Sequence, residues 1–409
     1  MTPIPVSVVV VSRARPQALR RCLLGLSQMR YDPFEVVVVA DAEARSVLRG
    51  MPQAGYAKII PFDRANISEA RNLGIAHADG DVVAFLDDDA VPEPSWLSQL
   101  IPPFRLREVS AAGGFVRGRN GISWQWRAET VDRTGTARAI KINRKKPTLL
   151  TATRDQGVKT QGTNMAVRRK TLSAMGGFDP NFRYYLDETD LNMRLAAELA
   201  VTAMVPQAEV HHGYLANAMR RSDRAPTDLT EIGASWAVFL RKHCESNRHA
   251  GIWRRIVASE RKRLLRHMQA GTLEPRDVDR LLGGLYDGYD AGKARAPSKL
   301  QTLTTEGGGF RPFPVSRSES VVFAGRSWQR RSLHRKAIAQ VSTGRIVTVL
   351  KFSPTLRYHE VTFRDDGYWE QSGGLFGKSV RTQRLFRLWG FRARVQAEKN
   401  RVSAARLLD

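Results

Sequence analysis

The stretch VVAFLDDDAVPEP, residues 82 to 94, ends an apolar run in three consecutive carboxylates, Asp87, Asp88 and Asp89. Carboxylates this close repel one another unless a cation neutralises them. Along an extended chain, alternation sends Asp87 and Asp89 to one side and Asp88 to the other. Hard oxygens in a partly open site suit Mg²⁺ or Mn²⁺, which keep positions free for phosphate oxygens. The plain alternative is a solvated acidic turn. A second acidic group, Asp187, Glu188 and Asp190, opens the segment DETDLNMRLAAELA, whose leucines recur every four residues as on a buried helix face. Acids in a first helical turn suit the positive end of the helix dipole. Capping needs only one of them, and Tyr184 and Tyr185 stand just before, so the group reads as a cleft wall. A carboxylate placed there, near a metal-bound diphosphate, can serve as a general base.

The elements that must position these groups are legible as a series. VSVVVVS (6–12) and FEVVVVAD (34–41) are continuous β-branched runs, the mark of strands buried on both faces. Residues 15–29 carry a helical spacing with Pro16 near the start, and 67–78 form a second helix with Asn66 and Glu69 as a capping box. Residues 81–90 are a third strand, which Pro92 and Pro94 are expected to stop. This alternation predicts an α/β fold with a mostly parallel sheet and right-handed crossovers. In such open sheets ligands sit beyond the carboxyl ends of the strands. Ser12 and Arg13, Asp41, and the Asp87–Asp89 triplet all fall there.

Taken in order, VSVVVVSRARPQALRRCL, EVVVVAD, ISEARNLGIAHADGDVVAFLDDDAVPEPSWL, GTNMAVRRKTLSAMGGFDPNF and DETDLNMRL resemble a family 2 glycosyltransferase with the GT-A fold, over about residues 4–215. The resemblance implies a nucleotide-diphospho-sugar donor, a divalent metal, Mg²⁺ or Mn²⁺, and inversion in one displacement. Carried over by motif, Asp87–Asp89 match the family's DxD. Asp89 would bind the metal, with Asp87 as a second candidate ligand, while Asp87 or Asp88 would meet the ribose or diphosphate. Ser12, Arg13 and Asp41 would flank the base, and Arg71 would approach the phosphates. The GTN loop with Asn164 would face donor and acceptor. DETDL matches the family's EDxDL, so the general base falls on Glu188, with Asp187 beside it and Asp190 completing the motif. Two departures stand out: Asp-Glu replaces the commoner Glu-Asp, and Ala40-Asp41 replaces Asp-Asp. EVHHGY (209–214) lies where some members place a histidine ligand, which makes His211 and His212 metal candidates.

The rest of the chain carries charge more than motif. The net charge is +25, and residues 211–409 hold 37 Lys+Arg against 18 Asp+Glu. Such a field attracts phosphates, acidic polysaccharide, anionic lipid headgroups or nucleic acid. Residues 117–147, with Trp124, Trp126 and KINRKK, read as a flap over donor or acceptor, or as a surface insertion. The expected organisation is a GT-A domain over 1–225, a basic helical region over 226–295, a linker over 296–314, and a small α/β module over 315–409. The basic middle helix is expected to pack on its neighbours, with contact to an anionic membrane as the other reading. Cys22 and Cys244 fit no metal or redox pattern, and no apolar run approaches 18 residues. These features lead to the expectation of a cytoplasmic enzyme, at most peripheral to the inner membrane face. Its expected partners are a sugar nucleotide and a glycan or lipid-linked acceptor of a cell-surface polysaccharide, without specific nucleic acid. The competing readings are a sugar nucleotidyltransferase, against which SRARPQ lacks a glycine-rich loop, and a non-catalytic scaffold of the same fold.

Overall fold

The computed structural model describes residues 2–213, 215–315, 317–384 and 386–408. Strands Val6–Ser12, Phe34–Ala40 and Val82–Asp87 form the centre of a ten-stranded sheet. Their residues alternate between two cores. Val6, Val8, Val10, Val36 and Val38 pack on one face. Val9, Val37, Val39, Val83 and Phe85 pack on the other. Coverage of both faces explains why these strands read as unbroken apolar runs. Helix Ile67–Ala76 starts where expected: Asn66 Oδ1 accepts from the Glu69 amide at 3.2 Å, and its Nδ2 donates to the Glu69 carboxylate at 3.1 Å.

Four strands run parallel in the order Val82–Asp87, Val6–Ser12, Phe34–Ala40, Lys58–Pro61. Register sets Val11 beside Asp87 and Ser12 beside Ala40, so their carboxyl ends reach one edge together. Met165–Arg168 is antiparallel on both sides, between Val82–Asp87 and Val109–Arg117. Val201–His212 then runs parallel to Val109–Arg117 and brings the histidine pair to the acidic edge. This is the mixed, mostly parallel α/β architecture expected from the sequence. The expected stop at Pro92 is corrected: Ala90–Pro92 is itself a short strand, antiparallel to Val201–His212. Proline is tolerated there because the strand lies off the main order of the sheet and needs no ladder on its free side.

Helices Thr230–His243, Ser246–Gln269 and Pro275–Ala294 follow. The basic middle one buries Ile252, Ile256 and Leu264, and its Trp253 stacks on Tyr289 with ring centroids 3.8 Å apart. Its apolar stripe is therefore used within the protein. Residues 296–314 have no regular structure, yet they are a strap more than a free tether. The amides of Leu303, Glu306 and Phe313 donate to the carbonyls of Ser173, Ala76 and Phe34, and Phe313 packs 5.5 Å from the Phe34 ring.

The C-terminal module has four strands in the order Ser320–Arg326, Ile346–Ser353, Trp369–Gly374, Glu360–Phe363, with only the last antiparallel. Helices Arg330–Val341 and Phe391–Arg406 complete it. It docks on the first domain through Arg406, fully buried, whose guanidinium grips Glu93 at 3.0 Å with both Nε and Nη2. Trp369 lies below that guanidinium, 4.4 Å from ring to Cζ, and joins Val91, Ile122, Val361 and Phe363 in an apolar cluster. Burial opposes the Glu93 charge, but Arg406 and His211 outweigh it and hold the carboxyl well below its usual range.

Inside the module His359 is buried, its Nδ1 accepting from Gln371 Nε2 at 2.7 Å and its Nε2 bonded to the Gly374 carbonyl at 2.8 Å. Burial, assisted by the Arg394 charge and opposed by the Gly374 bond, lowers its pKa to about 4. An unfolded histidine titrates near ~6.5, so the unfolded chain takes up that proton first as pH falls. The stabilising contribution is complete above about 6.5 and is lost as pH drops towards the folded value. The melting temperature is therefore expected to fall by several degrees between pH 7 and pH 4.5, and His359→Gln should flatten that part of the profile. Calorimetric scans across the window check this.

Candidate active site

Each carboxylate of the triplet meets a different partner, and each partner comes from a different element. Asp88 is fully buried; it accepts from Ser12 Oγ at 2.6 Å and pairs with Arg15 at the start of helix Pro16–Leu26. Burial pushes its carboxyl up to about 7 against the pull of Arg15, and the neighbouring Asp89 adds to the rise. The donor contact expected for Asp88 is thus corrected: it faces back into the protein and anchors the turn, as alternation requires. Ser12 goes with it, since its hydroxyl is spent on Asp88. Arg13 is exposed at the edge. Asp41 caps the short helix Ala42–Ser46 and accepts from the Ala14 amide at 2.9 Å, so it shapes the first loop.

On the other side, Asp87, Asp89 and His212 offer ligand atoms that all lie within 4.8 Å of one another. His212 Nε2 is 3.2 Å from Asp89 Oδ1 and 3.9 Å from Asp87 Oδ2. Burial opposes the Asp89 charge, but the charge and hydrogen bond of His212, then Arg15 and the Leu215 amide, hold its carboxyl well below the usual range. Two carboxylates with one imidazole fit Mn²⁺ or Mg²⁺, and the nitrogen favours the softer Mn²⁺. The imidazole is oriented from behind: Gln125 Oε1 is 3.0 Å from its Nδ1, and the Trp126 ring stacks on it at 5.7 Å and 28°. With Nδ1 held by an acceptor, Nε2 is the atom turned to a cation. Gln125 and Trp126 sit within residues 117–147, on the short strand Trp124–Trp126 paired with Val109–Arg117.

His211 points the other way, as strand alternation demands. Its Nε2 is 2.8 Å from Glu93 and its ring lies 4.8 Å from Trp369, so it belongs to the module interface and the metal role is withdrawn. Asn164 is also withdrawn from donor binding. It is fully buried, donates to the Phe115 and Ala208 carbonyls at 3.0 and 2.8 Å, and accepts from Trp96 Nε1 at 2.8 Å. It ties strands together, with its polar atoms spent.

The second acidic group is split in the same way. Asp190, fully buried, is held by Arg194, Lys242 and His243, each at 2.8 Å. It is a structural counter-charge joining helix Asp187–Ala197 to helix Thr230–His243, which corrects its catalytic assignment. Asp187 is buried against Arg71, while Glu188 is half-buried at the same helix start. The helix is entered through Leu186 in the left-handed region, φ +65°, a conformation that costs a branched side chain energy. That turn aims two adjacent carboxylates differently. Burial raises the Asp187 carboxyl well above its usual value, opposed by Arg71 and reinforced by Glu188.

Arg71 is the link between the two acidic groups. Its guanidinium contacts Asp187 at one end and lies 3.3 Å from Asp87 at the other. It is nearly inaccessible, wedged between the Phe85 and Phe178 rings and against Gly162, where an added Cβ would sit 2.4 Å from Nη2. The phosphate contact expected for Arg71 is replaced by this bridge. The residues that the sequence did not reveal are Gln125, Arg15 as the partner of Asp88, and the bridging role of Arg71.

A mostly parallel α/β sheet carries a carboxylate–imidazole cluster at its carboxyl edge, beside a second acidic wall, where open sheets of this kind hold ligands. Residues 7–175 match the family model Glycosyl transferase family 2. It is 28% identical over 233 residues to the O-antigen biosynthesis protein RfbC of Myxococcus xanthus, covering 54% of this chain and 18% of that protein. It is 36% identical over 92 residues to the succinoglycan biosynthesis protein ExoM of Rhizobium meliloti (strain 1021), covering 21% and 29%. The chain thus matches less than a third of either relative's length. Among solved structures, GalNAc-T7 with UDP, GalNAc and Mn²⁺ is similar with a TM-score of 0.45 at 16% identity, over 59% of this chain and 48% of that one. Among the described residues no helix is long and apolar enough to cross a membrane.

Among the described residues Arg71 is the cation paired with Asp187, and replacing it leaves that buried carboxyl without its partner. Arg71→Leu is expected to cost about 3–5 kcal/mol of stability. Urea unfolding of the purified variant measures it.

Proposed function

We propose that this chain transfers a sugar from a nucleotide-diphospho-sugar to an acceptor hydroxyl, with inversion, in the assembly of a cell-surface glycan. The observation that carries this reading is the pair of acidic walls joined through Arg71: the Asp87–Asp89–His212 cluster on one side and Glu188 on the other. The O-antigen and succinoglycan names of its relatives support the glycan class.

Asp87, Asp89 and His212 would hold Mg²⁺ or Mn²⁺. Bound there, the ion supplies positive charge to the departing diphosphate. The chain's own residues do the rest. Gln125 and Trp126 keep the imidazole aligned. Arg71 links the two walls through its contacts with Asp87 and Asp187, and burial against it keeps Asp187 away from the acceptor. Glu188, accessible where Asp187 is not, takes the acceptor hydroxyl's proton onto its carboxylate while the hydroxyl oxygen attacks the anomeric carbon and the bond from that carbon to the diphosphate breaks. This assigns the base to Glu188 and leaves Asp187 in a positioning role.

Two substitutions separate the roles. Asp89→Ala should abolish Mn²⁺-dependent binding of UDP or GDP measured by calorimetry. Glu188→Gln should keep that binding and lower turnover about 10²- to 10⁴-fold, the usual contribution of a general base. Nucleotide binding that ignores both the ion and Asp89 would refute the reading.

A further inference from the structure

A cavity of 590 Å³ opens beside the cation cluster, where the first domain meets the C-terminal module. Its walls include Arg119, Trp124, Gln125, Arg224, Glu360 and Arg381. Gln125 belongs to both places, because its amide oxygen also holds His212 Nδ1. Three guanidinium groups and one carboxylate thus line a cavity that Gln125 joins to the cluster. Arg119 donates to the Ser222 carbonyl at 3.4 Å and Arg381 to the Ser123 hydroxyl at 2.8 Å. Among the described residues, neither is within ion-pair distance of a carboxylate, so their charge is not neutralised locally.

The cavity is built and not a chance surface. Trp124 is 36% exposed, yet its ring is fixed edge-on by Phe115 at 5.3 Å and by the Arg117 guanidinium at 3.9 Å. Arg117 is itself bonded to Glu209 at 2.6 Å. The turn that carries Arg119 is clamped to the module: the Val361 amide donates to the Asn120 carbonyl at 2.9 Å. At Gly121, φ +64°, an added Cβ would lie 2.2 Å from the Val361 carbonyl. A held indole offers an apolar face for the C–H side of a pyranose, and guanidinium groups recognise carboxylate or phosphate. The charge of a donor diphosphate would be met by a divalent ion held at Asp87, Asp89 and His212, which leaves Arg119 and Arg381 for another anion.

We infer that this cavity is the acceptor subsite and that the acceptor is an acidic glycan, bearing a carboxylate or phosphate. The inference rests on the transferase reading above and adds to it that Arg381 and Glu360 of the C-terminal module are part of the recognition surface. The test is calorimetry on the full chain with trigalacturonate against maltotriose, and glucose 1-phosphate against glucose. The expected result is that at least one acid binds about tenfold tighter than its neutral counterpart, as charge-assisted bonds provide. That binding should weaken about three- to fivefold in Arg119→Gln and in Arg381→Gln, the range for partly exposed charge pairs. The better of the two acids then identifies carboxylate or phosphate. Equal binding of acidic and neutral sugars, binding of none, or acid binding untouched by both substitutions overturns the inference. UDP and GDP titrations with Mn²⁺ on the unaltered protein judge the transferase reading separately, since nucleotide binding without acid preference leaves that reading standing and removes this one.

Discussion

Repulsion among three adjacent carboxylates is the constraint around which this protein is arranged. At the end of a buried strand Asp87, Asp88 and Asp89 cannot coexist as charges without help. The fold answers by drawing a separate cation to each: Arg71 to Asp87, Arg15 to Asp88 and His212 to Asp89. The three partners come from helix Ile67–Ala76, from the start of helix Pro16–Leu26 and from the end of strand Val201–His212. Satisfying the triplet therefore fixes the positions of three elements at once. The arrangement also divides labour within it. The carboxylate turned inward is consumed by structure, and the two turned outward remain with an imidazole able to lose its proton to a cation.

The same logic recurs away from the triplet. Asp190 is surrounded by Arg194, Lys242 and His243. Glu93 is surrounded by Arg406 and His211. Each is a buried acid that holds a later segment of chain to the first domain. An ion pair in such a place is costly to desolvate, and its value lies in specifying one docking geometry over others. The C-terminal module is thereby positioned so that Arg381 and Glu360 reach the rim of the cleft, next to the strand that supports His212. The strong positive balance of the second half of the chain is in this way partly spent on internal acids and partly presented beside the site.

The central strands, the first helices and both acidic groups are legible from residue order, because they rest on local facts. A run of valines is buried on both faces whatever surrounds it, and neighbouring acids repel whatever folds around them. The alternation argument even separates Asp88 from Asp87 and Asp89 before any fold is known. Other assignments fail for a common reason. Asn164, Asp190 and His211 have residue types suited to a cleft, yet each is held by partners 44 or more residues away in sequence, Asp190 having Arg194 as a local partner as well. Arg71 looked like a phosphate ligand until Asp187, 116 residues on, took its guanidinium.

The sequence by itself determined the sheet, its acidic edge and the kind of chemistry that such an edge supports. Those features follow from side-chain period and short-range charge. Only the tertiary structure decided which polar groups are left for that chemistry. His211 and His212 show why: adjacent residues on one strand point to opposite faces, and the register of that strand against its neighbours selects the one that meets Asp87 and Asp89. Register is set by packing across the whole sheet, so a one-residue difference that no local pattern can resolve separates a cation ligand from an interface contact.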